Sequence, residues 1–365
     1  MGSASSVASP FAREEREAGA VFAERCGMSL PERYGDPVLE YQAVRSGAGL
    51  VDFSFRGMLQ LTGGERLRWL NGQITNEVTA LKRGEGCLAA ALTAKGHLLA
   101  ELAVYGLEEA VWIDLDRHRL EAVQSAFDRH IIADDVQVAD VSARFAHFMV
   151  AGPAATRALT AALGQEVADL APWHHREGRL GEVRVRVGAS RWLRLPGFDV
   201  LIPTEGAGAA WRHILRHGSA AGLRPVGTTA LEWLRVEAGW PWFGVDYDEN
   251  SLVMESLTPN HVSFTKGCYV GQEVVIRVEH QGHLNQRLCG LRGTGETVPA
   301  PGTPILFGDH TVGHVTSAVR SPALGRTIVL GHLRRECWQP GTALCIGAGP
   351  DALPAETATL PFLAE

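Results

Sequence analysis

The alternation of hydrophobic and polar positions is clearest between residues 57 and 141. There, apolar residues repeat with the period of two that is typical of strands or with the helical period, and glycines separate the segments. Their order is strand, helix, three strands, helix, strand, which predicts a ferredoxin-like subdomain with one extra strand. The predicted elements are strand 58–62, a helix over 65–73, strands 87–93, 98–105 and 111–115, a helix carrying Leu120, Val123 and Phe127, and strand 136–141.

Outside this region, the pattern of hydrophobic and polar positions is less regular up to residue 245, and it changes after Leu284. Residues 145–245 predict strands over 145–150 and 198–202, a half-exposed strand around Val185 and a helix over 229–238. After Leu284, short strands separated by Gly and Pro predict a small antiparallel barrel or sandwich. The predicted strands cover residues 287–291, 304–307, 312–319, 327–330 and 343–346. A short helix between Phe11 and Arg25 is predicted within an N-terminal extension, residues 1–37. These elements together define an α+β chain.

Composition narrows the class of protein. The chain has 365 residues, 45% of them hydrophobic, and a net charge of −7, which indicates an ordinary globular protein without a general basic surface for nucleic acid. No uncharged apolar run reaches the roughly 18 residues of a membrane span, so no membrane association is expected. The six cysteines lack C-x-x-C spacing, so no metal site is predicted and reduced thiols in the cytoplasm are favoured.

One short segment concentrates candidate chemistry. Only three of the 34 basic residues are lysines, and one of them begins the run Lys266-Gly267-Cys268-Tyr269-Val270-Gly271-Gln272-Glu273. A cation beside Cys268 favours the reactive thiolate, and Gln272 offers both a donor and an acceptor to a heterocycle. The alternative interpretation is structural, a turn that holds a small buried thiol. A basic patch follows and consists of Arg277, His280, His283 and Arg287.

The run from Lys266 to Glu273, with Arg277, resembles the K-G-C-Y-x-G-Q-E signature of folate-binding YgfZ-type proteins. These proteins belong to the glycine-cleavage T-protein (aminomethyltransferase) superfamily. Further segments resemble motifs of that superfamily, and together the resemblance covers about residues 38–335. The further segments are Arg235-Val236-Glu237-Ala238-Gly239, Leu70–Asn76 and Thr93-Ala94-Lys95-Gly96-His97.

The resemblance implies an aminomethyltransferase-like, folate-binding fold with three domains around a central cavity. That cavity would accept tetrahydrofolate or a one-carbon derivative. The expected domains are residues 38–56 with 142–284 as a first folate-binding subdomain, the ferredoxin-like subdomain 57–141 and a barrel over 285–365. Cys268 is the motif thiol and the catalytic candidate in this interpretation, and the motif is completed by Lys266, Gly267, Tyr269, Gly271, Gln272, Glu273 and Arg277.

The same resemblance implies a function. YgfZ-type proteins act as accessory proteins in the assembly or repair of iron–sulfur enzymes, with an effect on tRNA modification in bacteria. The implied partners are therefore folate, iron–sulfur client or assembly proteins and, although the net charge does not indicate it, tRNA. A separate hypothesis is a non-catalytic module that binds protein or tRNA through the basic patch.

One departure distinguishes members of the superfamily. Aminomethyltransferases resemble G-G-x-x-D-D-L at the strand that holds their catalytic acid, whereas this chain has Ala100-Glu101 in place of the aspartates. A carboxylate is needed there for proton movement at the folate nitrogen, so aminomethyl transfer is expected to be lost. Because Glu101 still supplies a carboxylate, a folate-dependent aminomethyltransferase is the alternative function. Weaker candidates for folate contact are Arg235, Glu237, Lys95 and Glu101, although a helical Arg-x-Glu is more often a surface pair.

Overall fold

The computed structural model describes residues 7–25, 27–280, 284–349 and 352–363. The N-terminal segment packs against the body of the protein, because Phe11 and Leu30 are fully buried. The predicted helix is shorter than expected and ends at Glu17, after which the chain forms a hairpin within a three-stranded sheet of order β1-β3-β2. The elements are β1 (Val7–Ala8), α1 (Ala12–Glu17), β2 (Val21–Arg25) and β3 (Met28–Arg33).

The ferredoxin-like unit has the predicted order of elements. Its antiparallel sheet has the strand order β6-β7-β8-β5-β9, and its helices cover one face. The elements, preceded by α2 (Pro37–Ser46) and β4 (Ala48–Asp52), are β5 (Arg56–Thr62), α3 (Arg66–Asn71), β6 (Gly86–Leu92), β7 (Leu98–Gly106), β8 (Val111–Asp116), α4 (Leu120–Asp128) and β9 (Gln137–Asp140).

Strand β7 is buried on both faces. Ala100, Leu102 and Val104 belong to the core between the sheet and its helices. On the opposite face, Ala103 and Tyr105 belong to a second core formed with the rest of the protein. Glu101, which lies on the same face as Ala103 and Tyr105, is therefore covered by another part of the chain.

A second, six-stranded sheet packs near Ala103 and Tyr105 on this face. Its order is β11-β12-β13-β10-β4-β14, and only the pair β4–β14 is parallel. The elements are β10 (Phe145–Ala151), α5 (Ala155–Leu163), β11 (His175–Leu180), β12 (Val183–Ser190), β13 (Gly197–Pro203), α6 (Ala207–Gly218), β14 (Leu223–Val226), α7 (Thr228–Ala238), α8 (Val253–Ser256) and α9 (Gln272–His280).

The C-terminal region is a closed barrel with the strand order β15-β18-β17-β16-β19-β20. The sequence pattern predicts its strands except the last, which closes the barrel by pairing with β15 and β19. The strands are β15 (Gln286–Gly293), β16 (Pro304–Phe307), β17 (His310–Ser321), β18 (Arg326–Arg334), β19 (Ala343–Ile346) and β20 (Leu353–Ala358). No helix in the described ranges is both long and apolar enough to span a membrane.

Helix α1 brings a carboxyl group against the six-stranded sheet. Glu15 is fully buried beside Asp52 of β4, and Tyr34 donates a hydrogen bond of 3.2 Å to the Glu15 carboxyl. Burial, with the neighbouring Asp52, raises the pKa of Glu15 to about 10. The Glu15 carboxyl is therefore protonated at neutral pH in the folded protein, although it is ionised in the unfolded chain.

We expect Glu15→Gln to stabilise the protein at alkaline pH. Between the ordinary pKa of 4.5 and the folded value of about 10, the folded state holds a proton that the unfolded chain has lost. This site therefore makes stability fall as pH rises, by at most about 1.4 kcal/mol per pH unit. Thermal unfolding at pH 5, 7 and 9 should show a growing advantage of the variant. Glu17→Gln, on the exposed side of the same helix, is the control, and parallel pH profiles for wild type and Glu15→Gln would contradict the assignment.

Candidate active site

The clearest site is a cavity of about 230 Å³ between β7, the loop after α7 and the segment before the 266–273 motif. A second cavity, of about 570 Å³, extends from this region to the barrel. The two cavities share the lining residues Arg194, Gly239, Leu257 and Thr258, so we treat them as one continuous space at the junction of the three structural units. The smaller part is lined by tryptophans and a carboxylate, and the larger part is lined mainly by apolar side chains.

The carboxylate is that of Glu101, which is only 6% exposed. His261 Nε2 lies 2.8 Å from one carboxylate oxygen, and the indole nitrogen of Trp240 lies 3.4 Å from the other. The His261 Nδ1 atom lies 3.0 Å from both the hydroxyl and the carbonyl oxygen of Thr258, which orients the ring. Glu101 and His261 thus form a close polar contact between two buried side chains.

Stacked indole rings form the wall beside this pair. Trp192 and Trp240 stack at 4.9 Å between ring centroids, with an interplanar angle of 26°. Trp173 meets Trp192 edge-on at 4.8 Å. Such a wall favours a flat heterocycle, because aromatic faces stack on planar ligands.

Two wall residues have unusual backbone conformations. Trp173 has a φ of 67° and Arg194 a φ of 56°, and they are the two non-glycine residues with positive φ among those described. Both line the smaller cavity. Non-glycine residues in the left-handed region are disfavoured and cluster at functional sites, so this observation also marks the cavity as the site.

The 266–273 motif lies elsewhere, on the ferredoxin-like unit. The Lys266 ammonium donates to the carbonyl oxygens of Asn71, Ile74 and Asn76 at 2.7, 2.9 and 2.5 Å. Burial lowers the pKa of Lys266 to about 8. Lys266 therefore joins its own segment to the loop after α3, which explains why a lysine occupies this position: its compact ammonium can reach three carbonyl groups at once.

The other motif residues serve this junction or face solvent. Tyr269 is buried in the cluster with Leu92 and Leu98, and Gly271, at a φ of 80°, approaches the 93–96 turn so closely that a Cβ atom would lie 2.6 Å from the Thr93 oxygen. Gly267 and Cys268 are exposed, Gln272 begins α9, and Glu273 pairs with Arg277 at 3.3 Å on its exposed face. Lys95 is exposed in the 93–96 turn. None of these residues lines either cavity, and His283 lies outside the described residues.

Arg235 and Glu237 are interface residues. Arg235 is fully buried and donates to Asp246 and Ser317 at 2.7 Å each, whereas Glu237 accepts a hydrogen bond of 2.8 Å from Tyr41 and another from Ser321. These contacts join α7 to the barrel and to α2, and the burial of both side chains rules out the alternative of a surface pair. Both side chains bind protein partners and neither lines a cavity, so they are not folate contacts in this structure.

Of the sequence-predicted residues, therefore, Glu101 lines the smaller part of this space and Arg287, from the basic patch, lines the larger part. The Glu101 partners His261 and Trp240 were missed, because neither belongs to a recognisable motif. The available signal was the concentration of tryptophans in Trp240-Pro241-Trp242 after a helix, which is typical of a binding wall but is equally compatible with a core.

Comparison with known proteins identifies the family. Residues 11–266 match the family described as GCVT N-terminal domain, and residues 286–363 match the glycine cleavage T-protein C-terminal barrel domain. Since the first match alone spans more than half of the chain, the protein belongs to the glycine-cleavage T-protein family. The expected aminomethyltransferase fold with its C-terminal barrel is thereby confirmed.

Individual relatives agree over nearly the whole length. The chain is similar to the aminomethyltransferase of Halothermothrix orenii, with 27% identity over 97% of this chain and 99% of the relative. It is also similar to that of Streptomyces avermitilis, with 28% identity over 95% of each chain. The crystal structure of glycine cleavage system aminomethyltransferase T from Bartonella henselae superposes with a TM-score of 0.88 at 19% identity, covering 98% of both chains, which shows a shared fold.

These comparisons overturn the expected role in iron–sulfur assembly. The matched domains are those of the glycine-cleavage T-protein, and the full-length relatives are named aminomethyltransferases. The superfamily was therefore correctly identified from the sequence, but the YgfZ-type assignment, with its iron–sulfur and tRNA partners, is not supported. The error came from giving a motif that lies at a structural junction more weight than the carboxylate in the cavity.

We expect Lys266→Met to lower the stability of the protein without altering the cavity. The substitution removes three hydrogen bonds to carbonyl groups, for an expected loss of about 1 to 3 kcal/mol in the free energy of unfolding. Denaturant unfolding measures this loss, and Lys82→Met, at an exposed position, is the control. Unchanged stability combined with weakened folate binding would instead assign the motif to the binding site.

Proposed function

We propose that this protein is a folate-dependent aminomethyltransferase of the glycine-cleavage T-protein type. The observation that carries the proposal is the buried Glu101–His261 pair, which faces a tryptophan-walled cavity. Full-length similarity to proteins named aminomethyltransferase supports the same reaction class. In this proposal the protein acts in the cytoplasm and receives its one-carbon unit as the aminomethyl group of a lipoyl carrier.

The cavity residues fit tetrahydrofolate as the acceptor. Its flat heterocycle suits the stacked rings of Trp192 and Trp240, and its N–H groups suit the carboxylate of Glu101. The larger cavity, with Arg194 and Arg287 in its lining, suits the apolar aryl group and the anionic glutamate tail. The heterocycle would therefore lie in the smaller part of the space and the tail in the larger part.

Glu101 is the residue that we assign to proton transfer. Bound tetrahydrofolate supplies the nitrogen to which the one-carbon unit is attached. As this nitrogen bonds to the one-carbon unit, the bonds of that carbon to the carrier sulfur and to the amine would break, so that the carrier leaves as the thiol and the amine as ammonia. Glu101 would accept the proton that the nitrogen loses, and His261, 2.8 Å away, would hold the carboxylate in position until it is protonated. Both side chains are buried, which strengthens their interactions because a site with little water screens charges less.

The assignment of Glu101 revises the expectation that aminomethyl transfer is lost, which was based on the absence of the paired aspartates. Ala100 does replace one aspartate, and its side chain points into the core of the ferredoxin-like unit. Glu101, on the other face of β7, places its carboxylate in the cavity lining. A carboxylate is thus retained where the proposed chemistry needs one, and the departure from the family pattern does not argue for loss of activity.

We expect Glu101→Gln to reduce turnover while tetrahydrofolate still binds. The amide keeps the shape of the side chain but cannot accept a proton, so the release of ammonia from an aminomethylated lipoyl carrier should fall by about 10²- to 10⁴-fold. Ammonia release and the dissociation constant of tetrahydrofolate, measured in parallel, separate chemistry from binding. Glu121→Gln, an exposed carboxylate on α4, is the matched control. Absence of ammonia release by the wild type at high enzyme concentration would refute the proposed reaction.

We expect Arg194→Gly to weaken tetrahydrofolate binding and to stabilise the protein. Glycine adopts the φ of 56° without strain, for a gain of about 1 kcal/mol, but removes the guanidinium from the cavity. Arg194→Ala removes the same guanidinium and keeps the strain, so it should weaken binding without the gain. Thermal unfolding and fluorescence titration with tetrahydrofolate test both variants. Equal stability of the glycine and alanine variants would contradict the presence of backbone strain at Arg194.

A further inference from the structure

A cluster of buried polar side chains lies between the two sheets, directly behind the tryptophan wall. Its members come from β7 and β8 of the ferredoxin-like unit and from β10, β11, β12 and β13 of the six-stranded sheet. We call it the intersheet cluster, and it consists of Tyr105, Asp114, His147, His175, Arg186 and Asp199. The proposed reaction does not use any of these residues.

Direct hydrogen bonds satisfy only part of the cluster, such as the contact of 3.0 Å between Arg186 Nη1 and His175 Nδ1. His147 lies between two carboxylates, with Nδ1 3.7 Å from Asp114 and Nε2 3.5 Å from Asp199, both longer than a good hydrogen bond. Within the described part of the chain, several buried atoms of the cluster have no hydrogen-bonding partner. They are Tyr105 Oη, Asp114 Oδ2, His147 Nε2, His175 Nε2, Arg186 Nε and Asp199 Oδ1.

Five of these side chains surround a single small cavity. Its volume is about 10 Å³, and it is lined by Tyr105, Asp114, His175, Arg186, Gly188, Asp199 and Leu201. A volume of about 10–15 Å³ is what one water molecule requires, provided that two to four polar partners surround it. A buried polar group without a partner raises the free energy of the folded protein, so binding of a ligand of this size is favourable.

The chemistry of the lining favours water over a cation. Burial lowers the pKa of His175 to about 4, so its ring is neutral; because Nδ1 faces Arg186 Nη1 at 3.0 Å, the ring N–H lies on Nε2. The lining thus offers N–H donors as well as the carboxylate acceptors of Asp114 and Asp199. Water satisfies both kinds of group, whereas a metal ion needs acceptors alone. Among the described residues, no three His, Cys, Asp or Glu side chains are arranged to hold a metal.

The cluster also holds the tryptophan wall. Asp199, which borders the small cavity, accepts a hydrogen bond of 3.0 Å from the indole nitrogen of Trp192. The Arg56 guanidinium, paired with Asp114, lies 4.7 Å from the centroid of the Trp192 ring. Asp199 thus holds the edge of the Trp192 ring through a hydrogen bond, and Arg56, the partner of Asp114, covers the face of that ring.

We propose that the small cavity binds one ordered water molecule, and that this water, by fixing Asp199, positions Trp192 in the wall of the active site. Asp199 and Tyr105 are then positioning residues, acting on the ligand through Trp192. The expected effect on folate rests on the proposed function, but the water site and the orientation of Trp192 do not.

Crystal structures of the wild type and of Tyr105→Phe at high resolution test the water site. The wild type should show one density peak within hydrogen-bonding distance of at least three of the cavity's polar atoms, and Tyr105→Phe should retain the fold with that peak weakened or shifted. An empty cavity, direct pairing of the polar atoms, or contacts of the length that metal ions make would overturn the proposal.

Fluorine NMR of protein labelled with 5-fluorotryptophan tests the effect on Trp192, whose resonance is assigned from Trp192→Phe. Tyr105→Phe and Asp199→Leu should both shift or broaden this resonance, whereas Asp199→Asn, which keeps an acceptor for the indole, should largely restore it. Tyr34→Phe removes a partly buried hydroxyl in another core and is the matched control. An unmoved Trp192 resonance in Tyr105→Phe would overturn the coupling.

Binding measurements then connect the cluster to the ligand. Tyr105→Phe should weaken tetrahydrofolate binding by about three- to tenfold, the effect of roughly one hydrogen bond, with kcat at saturating folate unchanged. A lowered kcat with unchanged affinity would contradict a positioning role. If the wild type fails to bind folate, the proposed function fails, while the density peak and the Trp192 resonance still decide the water site.

Discussion

The buried ion pair between Arg235 and Asp246 is the interaction that holds helix α7 and the loop after it against the barrel. Both side chains are fully excluded from solvent, and Arg235 also contacts Glu232 on its own helix and Ser317 of the barrel. A buried guanidinium without its partners would be strongly destabilising, so the helix, the barrel and the loop from Trp240 to Asp246 must come together as one assembly. That loop carries Trp240, which is why a contact outside the cavity determines the shape of the cavity.

The site and the strongest sequence motif perform different tasks. Lys266 and Tyr269 attach one segment to the ferredoxin-like unit through carbonyl and apolar contacts. The proposed chemistry lies at Glu101 and His261, on segments that carry no recognisable motif. A tight turn needs particular residues at consecutive positions, and so it produces a dense motif. A cavity can be assembled from single residues on distant segments, so none of those segments needs to contain a recognisable motif.

Most of the fold could be predicted because amphipathic periodicity is a local property. The strands of the ferredoxin-like unit and nearly all those of the barrel follow from it, and the helix over 120–128 follows from the spacing of Leu120, Val123 and Phe127. The last barrel strand was missed because its pairing with β15 depends on residues far away in the chain. The N-terminal hairpin was missed because its burial depends on distant residues, chiefly those of helix α7.

Strand β7 shows where local information ends. Ala100, Leu102 and Val104 are apolar and alternate along the strand, so the sequence alone predicts that this face is buried. Whether the opposite face meets water or protein depends on residues that are 139 and 160 positions away, Trp240 and His261. The sequence alone thus determines that a carboxylate stands on the second face of this strand. Only the packing of the remaining chain over that face, driven by burial of its apolar surface, turns Glu101 into a group enclosed in a cavity and paired with an imidazole.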